Sequence, residues 1–184
     1  MTESISLVVR AVERFAVQAT GRRVLVGYSG GVDSHALLYE LSRQSITHSI
    51  RLVALHADHQ LLSGSPSWEL QCREYCRKSD IEYRSCKLKL DSPNSGGTEN
   101  AARKARYAWF RNEMRPGDLI VTGHHLDDQV ETVLFRLLRG SGVRGLTGIP
   151  PSSHFGIGQL VRPFRDLWRN DIEVFARAQE LDWI

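Results

Sequence analysis

The sequence predicts an α/β fold, a Rossmann-like, mostly parallel sheet with helices on both faces, and three observations predict it. Short apolar, β-rich runs alternate with helix-like segments, the signature of βαβ units. A small-residue turn, "YSGGVDS", joins the first such run directly to a helical pattern. The 184 residues, 41% apolar and 24% charged, suit one domain with its own hydrophobic core, and no repeat or low-complexity run interrupts them.

Each element has local support. "SISLVVRAVERFAVQAT" opens the chain as an amphipathic helix, because Arg10, Glu13 and Arg14 break its apolar pattern at helical spacing. Strands follow near 23–29, 51–58, 81–90 and 118–125. Helices fall between and after them, near 34–44, 66–78, 98–114 and 127–139. Pro66 suits a first helical turn behind Ser65 as a cap. From 127 onward, Val130, Val133, Leu134, Leu137 and Leu138 form one apolar stripe, and "RGSG" supplies a glycine stop. "SPNSGG" and "GIPPSSHFGIG", residues 92–97 and 148–158, read as loops. A last helix spans Arg169–Trp183.

Composition narrows the function classes. The formal charge is only +3, but arginines concentrate in "RKARYAWFR" and "FRLLRGSGVRG", which is either a solvated helix face or a surface for a polyanion. No run approaches the ~18 consecutive apolar residues of a membrane span, and the charged first helix is no secretory signal, so a cytoplasmic protein with no membrane partner is expected. Cys72, Cys76 and Cys86 fit a reducing compartment. Cys72 and Cys76 share a helix face but lack a second ligand pair, so buried cysteines are expected rather than a metal site. The chain stops at Ile184 just after an apolar stretch, the ending expected of one domain of a longer protein. Nothing in the pattern gives the oligomeric state, for which a homodimer is the commonest arrangement.

The chemistry concentrates in the first turn. Strand, small-residue loop and helix together present backbone N–H groups and the positive end of a helix dipole to an anion. The cradle runs over Ser29, Gly30, Gly31, Val32, Asp33 and Ser34. It is neither G-x-x-x-x-G-K-[ST], since no lysine is present, nor G-x-G-x-x-G, since the glycine spacing is wrong. A carboxylate inside a phosphate cradle repels its ligand unless a cation lies between, so Asp33 predicts a bridging Mg²⁺.

"SGGVDS" resembles the signature of the PP-loop ATP pyrophosphatases, which cleave ATP to AMP and pyrophosphate, on an adenine nucleotide alpha hydrolase-like fold. "HADHQL", "GTENAARKARYAWF", "GHHLDDQVETVLFRLLRGSGVRGLTGI", then "RPF" and "LDW" follow in the order seen in the tRNA(Ile)-lysidine synthetase family, over roughly residues 20–184. The resemblance implies an ATP-dependent ligase that joins free L-lysine to C2 of the wobble cytidine of tRNA(Ile) with a CAU anticodon, through an adenylated cytidine. It also implies C-terminal tRNA-binding domains, which nothing in residues 1–184 matches. The alternatives are a PP-loop tRNA thiolase of the 2-thiocytidine type and an ATP-binding sensor without chemistry.

That reaction needs the α-phosphate aligned with the C2 oxygen and its growing charge neutralised. Glu99, Arg103 and Arg106 share a helix face, as an ion-pair ladder or as guanidinium groups aimed at phosphate or RNA, and the resemblance carries the catalytic arginine onto Arg106. "HHLDD" sits where a strand ends and a helix begins. Asp127 or Asp128 is expected to cap that helix, and the resemblance makes His124 and Asp128 catalytic, with His124 binding phosphate or shuttling a proton and Asp128 orienting His124 or engaging a metal or the lysine amine. Asp58 and His59 end a strand where adenosine binds in nucleotide folds. Gly140 and Gly142 read as a turn, with Arg136 and Arg139 near RNA or as parts of a plain loop.

Overall fold

A computed structural model describes residues 2–58, 65–88, 97–140 and 147–184. The order is α1 (Thr2–Gln18), β1 (Arg23–Gly27), α2 (Val32–Thr47), β2 (Arg51–Asp58), α3 (Ser65–Lys78), β3 (Glu82–Lys87), α4 (Gly97–Glu113), β4 (Leu119–Val121), α5 (Leu126–Leu138), β5 (Ser152–Phe155), β6 (Gly158–Val161) and α6 (Arg169–Ala178). The predicted alternation is present, with α3 starting at Ser65 itself. The segment 89–96, and with it most of "SPNSGG", lies outside the described residues.

The six strands form one sheet in the order β3-β2-β1-β4-β6-β5, parallel except for β5. Strand alternation divides its residues between two cores. Val24, Val26, Leu52, Ala54, Leu119 and Val121 pack with α1, α2 and α6 through residues such as Val12, Leu37 and Phe175. Leu25, Val53, Leu55 and Ile120 turn the other way, against Phe110 of α4 and Met114 just past its end. Helices therefore cover both faces, and fully buried strands explain the continuous apolar runs.

The chain leaves β1 towards β2 and β3 on one side, then returns to place β4 on the other. The switch point thus lies between β1 and β4, and open parallel sheets bind ligands at the carboxyl ends of the strands there. Both sequence motifs of interest follow these strands: "SGGVDS" after β1 and "HHLDD" after β4.

Four expectations need correction. Residues 148–158 are not all loop: β5 and β6 form a hairpin whose Gly156 turn has φ +58° and whose β6 pairs with β4, which supplies the support that the polar sequence lacks. β4 ends at Val121 rather than near 125, because Thr122 to His125 leave the sheet at the carboxyl edge. α6 stops at Ala178: Glu180 takes φ +51°, and the following segment folds back until the Ile184 N–H donates to the Gly30 carbonyl at 3.0 Å. The stripe on α5 is not a core face: Val130, Leu134, Leu137 and Leu138 are exposed, Leu138 to 86%, and only Val133 is half-buried, while the inward side carries Gln129, whose amide pairs with both backbone groups of Ile149 at 2.6 and 2.7 Å. Gly140, at φ +70°, does stop α5.

Candidate active site

The loop after β1 is shaped by its own hydroxyls. Ser34 Oγ donates to the Gly31 carbonyl at 3.0 Å and accepts from the Ser29 N–H at 3.2 Å, so the Ser29 hydroxyl, 3.0 Å away, is the donor in that pair. Ser29 Oγ in turn accepts from the Gly31 N–H at 3.3 Å. No side chain caps α2, so the N–H groups of its first turn remain available to an anion. Gly30 has φ +90°, and a Cβ there would stand 2.8 Å from Cys72 Sγ and meet the Ile184 side chain. Gly31 is different: its φ is −69° and a Cβ would meet only Ser29 Oγ, at 3.5 Å.

Asp33, on the first turn of α2, turns one oxygen towards His125: Oδ2 lies 3.7 Å from His125 Nε2. Its other oxygen, Oδ1, is buried without a hydrogen-bond partner. Burial raises the Asp33 pKa above the usual carboxylate value, against the opposing pull of His125 and Arg169. Gly123 makes this approach possible, since a Cβ there would sit 3.0 Å from the Asp33 carbonyl carbon.

At the end of β4, His124 Nδ1 hydrogen-bonds the Thr122 hydroxyl at 2.7 Å. Burial is the main cause that pushes the His124 pKa down to about 4; Asp128 opposes it, and Arg162, Arg103 and Arg106 reinforce it. His124 is therefore a neutral imidazole at neutral pH. Asp128 does not orient it by a hydrogen bond: Asp128 Oδ2 accepts the His125 backbone N–H at 2.8 Å, the capping contact expected of one of the two aspartates. Asp127 Oδ2 accepts the Arg169 N–H at 2.9 Å and so fixes the start of α6 against α5.

Arg106 extends from α4 with its guanidinium 5.7 Å from the Tyr107 ring centre, and burial is the main cause that lowers its pKa. The ladder reading fails: among the described residues no salt bridge joins Glu99 to Arg103 or Arg106. The half-buried guanidinium thus has no carboxylate within ion-pair distance among the described residues, and a guanidinium is the side chain whose geometry matches a phosphate.

These groups meet in one pocket of about 420 Å³, within the usual size range for small-molecule sites. Ser29, Asp33, Ser34, Asp58, Arg106, His124 and Asp128 all line it. Gly30, Gly31 and Val32 form the backbone beside it rather than its lining, while His59 and Gly142 lie outside the described residues. Arg136 donates to the Gly148 carbonyl at 3.0 Å, away from the pocket, and Arg139 stacks on Phe135.

The sequence reading passed over several lining residues. Trp68, Leu55, Tyr107 and Phe110 supply apolar walls, and Thr122, His125 and His56 supply polar ones. His56 Nδ1 donates to the Tyr28 carbonyl at 3.0 Å, which leaves Nε2 as the ring's other polar atom. The strand-end rule that selected Asp58 applies equally to His56 and Thr122. Behind the wall, buried Arg162 donates to the Pro150 carbonyl at 2.9 Å while its Nε and the Tyr107 hydroxyl have no hydrogen-bond partner. Cys72 and Cys76 pack in the core under the loop, and burial pushes their thiols up to about 11 and about 12.

Residues 5–184 match the family model described as the PP-loop domain. The tRNA(Ile)-lysidine synthase of Pseudomonas syringae pv. tomato is 39% identical over 176 residues, 95% of the chain and 39% of that protein. The tRNA(Ile)-lysidine synthase of Coxiella burnetii is 37% identical over 159 residues, 86% of the chain and 35% of that protein. The chain thus spans less than two fifths of the length of these curated relatives. Among solved structures, the U34-tRNA thiolase NcsA from Methanococcus maripaludis, with its [4Fe-4S] cluster, superposes with a TM-score of 0.76 at 20% identity, over 100% of the chain and 65% of that protein. The NMN synthetase from Francisella tularensis gives 0.63 at 10% identity, over 98% of the chain and 71% of that protein. At such identities the two structures bear on the fold alone.

Proposed function

The chain belongs to the PP-loop domain family, and on that premise we propose that it is the ATP-binding, adenylating domain of a tRNA(Ile)-lysidine synthetase. It joins free L-lysine to C2 of the wobble cytidine of tRNA(Ile) bearing a CAU anticodon, in the cytoplasm, and further C-terminal domains hold the tRNA. The observation that carries the reading is the convergence of Asp33, Arg106, His124 and Asp128 on one pocket in a chain about two fifths identical to enzymes of that name.

The reaction must make a ring carbonyl oxygen leave. The C2 oxygen attacks the α-phosphorus and pyrophosphate departs. The lysine amine then adds to C2 and AMP leaves with the oxygen. The uncapped first turn of α2 binds the phosphates by its N–H groups and dipole. The Ser29 and Ser34 hydroxyls act first on the loop itself: they accept the Ser29 and Gly31 N–H groups and fix its shape, which leaves the first turn of α2 to offer its own N–H groups. Arg106, half-buried and without a carboxylate in ion-pair range among the described residues, counters the charge that develops on the α-phosphate. Trp68, Leu55 and Tyr107 suit planar bases.

His124 serves as a neutral hydrogen-bonding group whose ring is set by Thr122. A bound phosphate offsets the neighbouring arginines and raises its proton affinity, so it can take a proton from the attacking amine after the nucleotide is in place. Asp128 holds the His125 N–H with one oxygen and lines the pocket, in reach of the lysine ammonium.

Asp33 fits Mg²⁺: a carboxylate oxygen is the hard donor that the ion prefers, and Oδ1 is buried without a partner. Among the described residues no cluster of three His, Cys, Asp or Glu is disposed to hold a metal, so phosphate oxygens and water would complete the shell. When bound, the ion supplies charge neutralisation at the phosphates.

A thiolase would have to bring reactive sulfur to this pocket, whereas Cys72 and Cys76 belong to the core. The decisive experiment is incorporation of labelled lysine into tRNA(Ile) with a CAU anticodon and into the same tRNA with another wobble base. Incorporation into the first alone is expected, and incorporation into neither by ATP-binding full-length protein would overturn the reading.

A further inference from the structure

Beside the pocket, α4 carries a second cavity of about 250 Å³, lined by Asn100, Arg103, Lys104, Tyr107 and Arg111. Tyr107 lines both cavities and is the wall they share. The helix produces this row directly: Asn100, Lys104, Tyr107 and Arg111 recur at i, i+4, i+7 and i+11, with Arg103 alongside.

Many surface arginines elsewhere are neutralised by a carboxylate, whereas three cations gather in this groove without one among the described residues. Arg51 pairs with Glu82, Arg73 with Glu69, Arg77 with Glu74, Arg84 with Glu113 and Arg177 with Glu173. Among the described residues Arg103, Lys104 and Arg111 have no such carboxylate. Rings hold two of them instead: Arg103 stands 5.0 Å from the Tyr107 ring centre and Arg111 stands 4.8 Å from that of Phe155 on β5. A ring fixes a guanidinium in place without cancelling its charge. Three unpaired like charges along one helix face repel each other, and a polyanion relieves that repulsion.

We infer that this groove binds phosphodiester groups of the RNA strand on either side of the nucleotide whose base enters the catalytic pocket. The inference rests on the RNA-modifying function proposed above. It assigns the shared wall, Tyr107, to the point where the strand turns from the groove into the pocket. Asn100 adds a neutral amide that can donate to a phosphate or ribose oxygen.

The test is a Lys104→Gln/Arg111→Gln double variant of the full-length protein, titrated with tRNA(Ile) between about 50 and 200 mM salt. Loss of two contacts to single-stranded phosphates lowers the slope of log affinity against log salt by roughly 1.4. Affinity for tRNA falls about tenfold near 150 mM salt, while ATP affinity and the melting temperature stay unchanged. An unaltered salt slope and tRNA affinity would overturn the inference. Should the double variant melt early, Lys104→Glu alone repeats the measurement at an exposed side chain, with the same two outcomes. The two failures are distinguishable. A parent protein that incorporates lysine beside a variant that binds tRNA normally sinks the groove alone; a parent that incorporates none sinks the proposed function, whatever the groove does.

Discussion

Gly31→Ala separates anion binding from folding. Gly31 has φ −69° and ψ 160°, open to any residue, and an added Cβ meets only Ser29 Oγ at 3.5 Å. The folded protein accommodates the methyl group; the freedom lost by the unfolded chain, roughly 0.4–1 kcal/mol in favour of folding, is offset by Ala being a poorer N-cap than Gly for α2. The melting temperature therefore stays within about 4 °C of the parent's. The same methyl group stands at the mouth of the phosphate cradle, where a bound phosphate requires close backbone approach. ATP affinity should fall at least tenfold, about 1.4 kcal/mol. Thermal unfolding without ligand and calorimetric titration with ATP read the two effects independently. Unchanged ATP affinity in a protein of parental or higher stability would refute the assignment of this loop to phosphate. Gly30→Ala gives the contrast: at φ +90°, with Cys72 Sγ 2.8 Å from its Cβ, it destabilises the fold itself.

Three further outcomes follow from the same geometry. Arg106→Ala should lower kcat by about 10²–10³ and leave the melting temperature nearly unchanged, because it removes transition-state charge stabilisation from a guanidinium with no carboxylate partner; steady-state kinetics and thermal unfolding check both parts. Phe164→Ala, at a side chain with no solvent exposure, should cost about 3–5 kcal/mol, measured by urea unfolding. The pH dependence has a fixed sign: burial pushes both His35 and His124 down to about 4, so the unfolded chain binds more protons and stability falls as pH drops from about 7 towards 4. His35→Gln should flatten that decline in urea midpoints between pH 7 and 5, and a midpoint that rises on acidification would contradict the burial of these neutral rings.

Much of the fold was legible because burial on both faces makes β1, β2 and β4 apolar without interruption, while helical periodicity marks the segments between them. The hairpin of β5 and β6 was not, since Ser152, Ser153 and Gln159 carry no strand signal and their pairing depends on the neighbouring β4. The end of α6 was hidden for a related reason: the turn at Glu180 is set by the return of the chain to Gly30. At the site, glycine and aspartate in "SGGVDS" stand out as pocket candidates by residue type alone. Thr122, His56 and Tyr107 do not, because each becomes a pocket residue only when strand ends and α4 meet in space. The same gap explains Asp128: its spacing from His124 suggested a pair, but the helix start claims its oxygen for the His125 N–H.

The central claim is that the pocket adenylates the C2 oxygen of the wobble cytidine before lysine arrives. Full-length protein supplied with ATP, L-lysine and tRNA(Ile) carrying oxygen-18 at that C2 position tests it in one measurement, by mass spectrometry of the AMP released. The label should leave the RNA and appear in AMP, one atom for each lysine incorporated. Lysine incorporation accompanied by unlabelled AMP would contradict it.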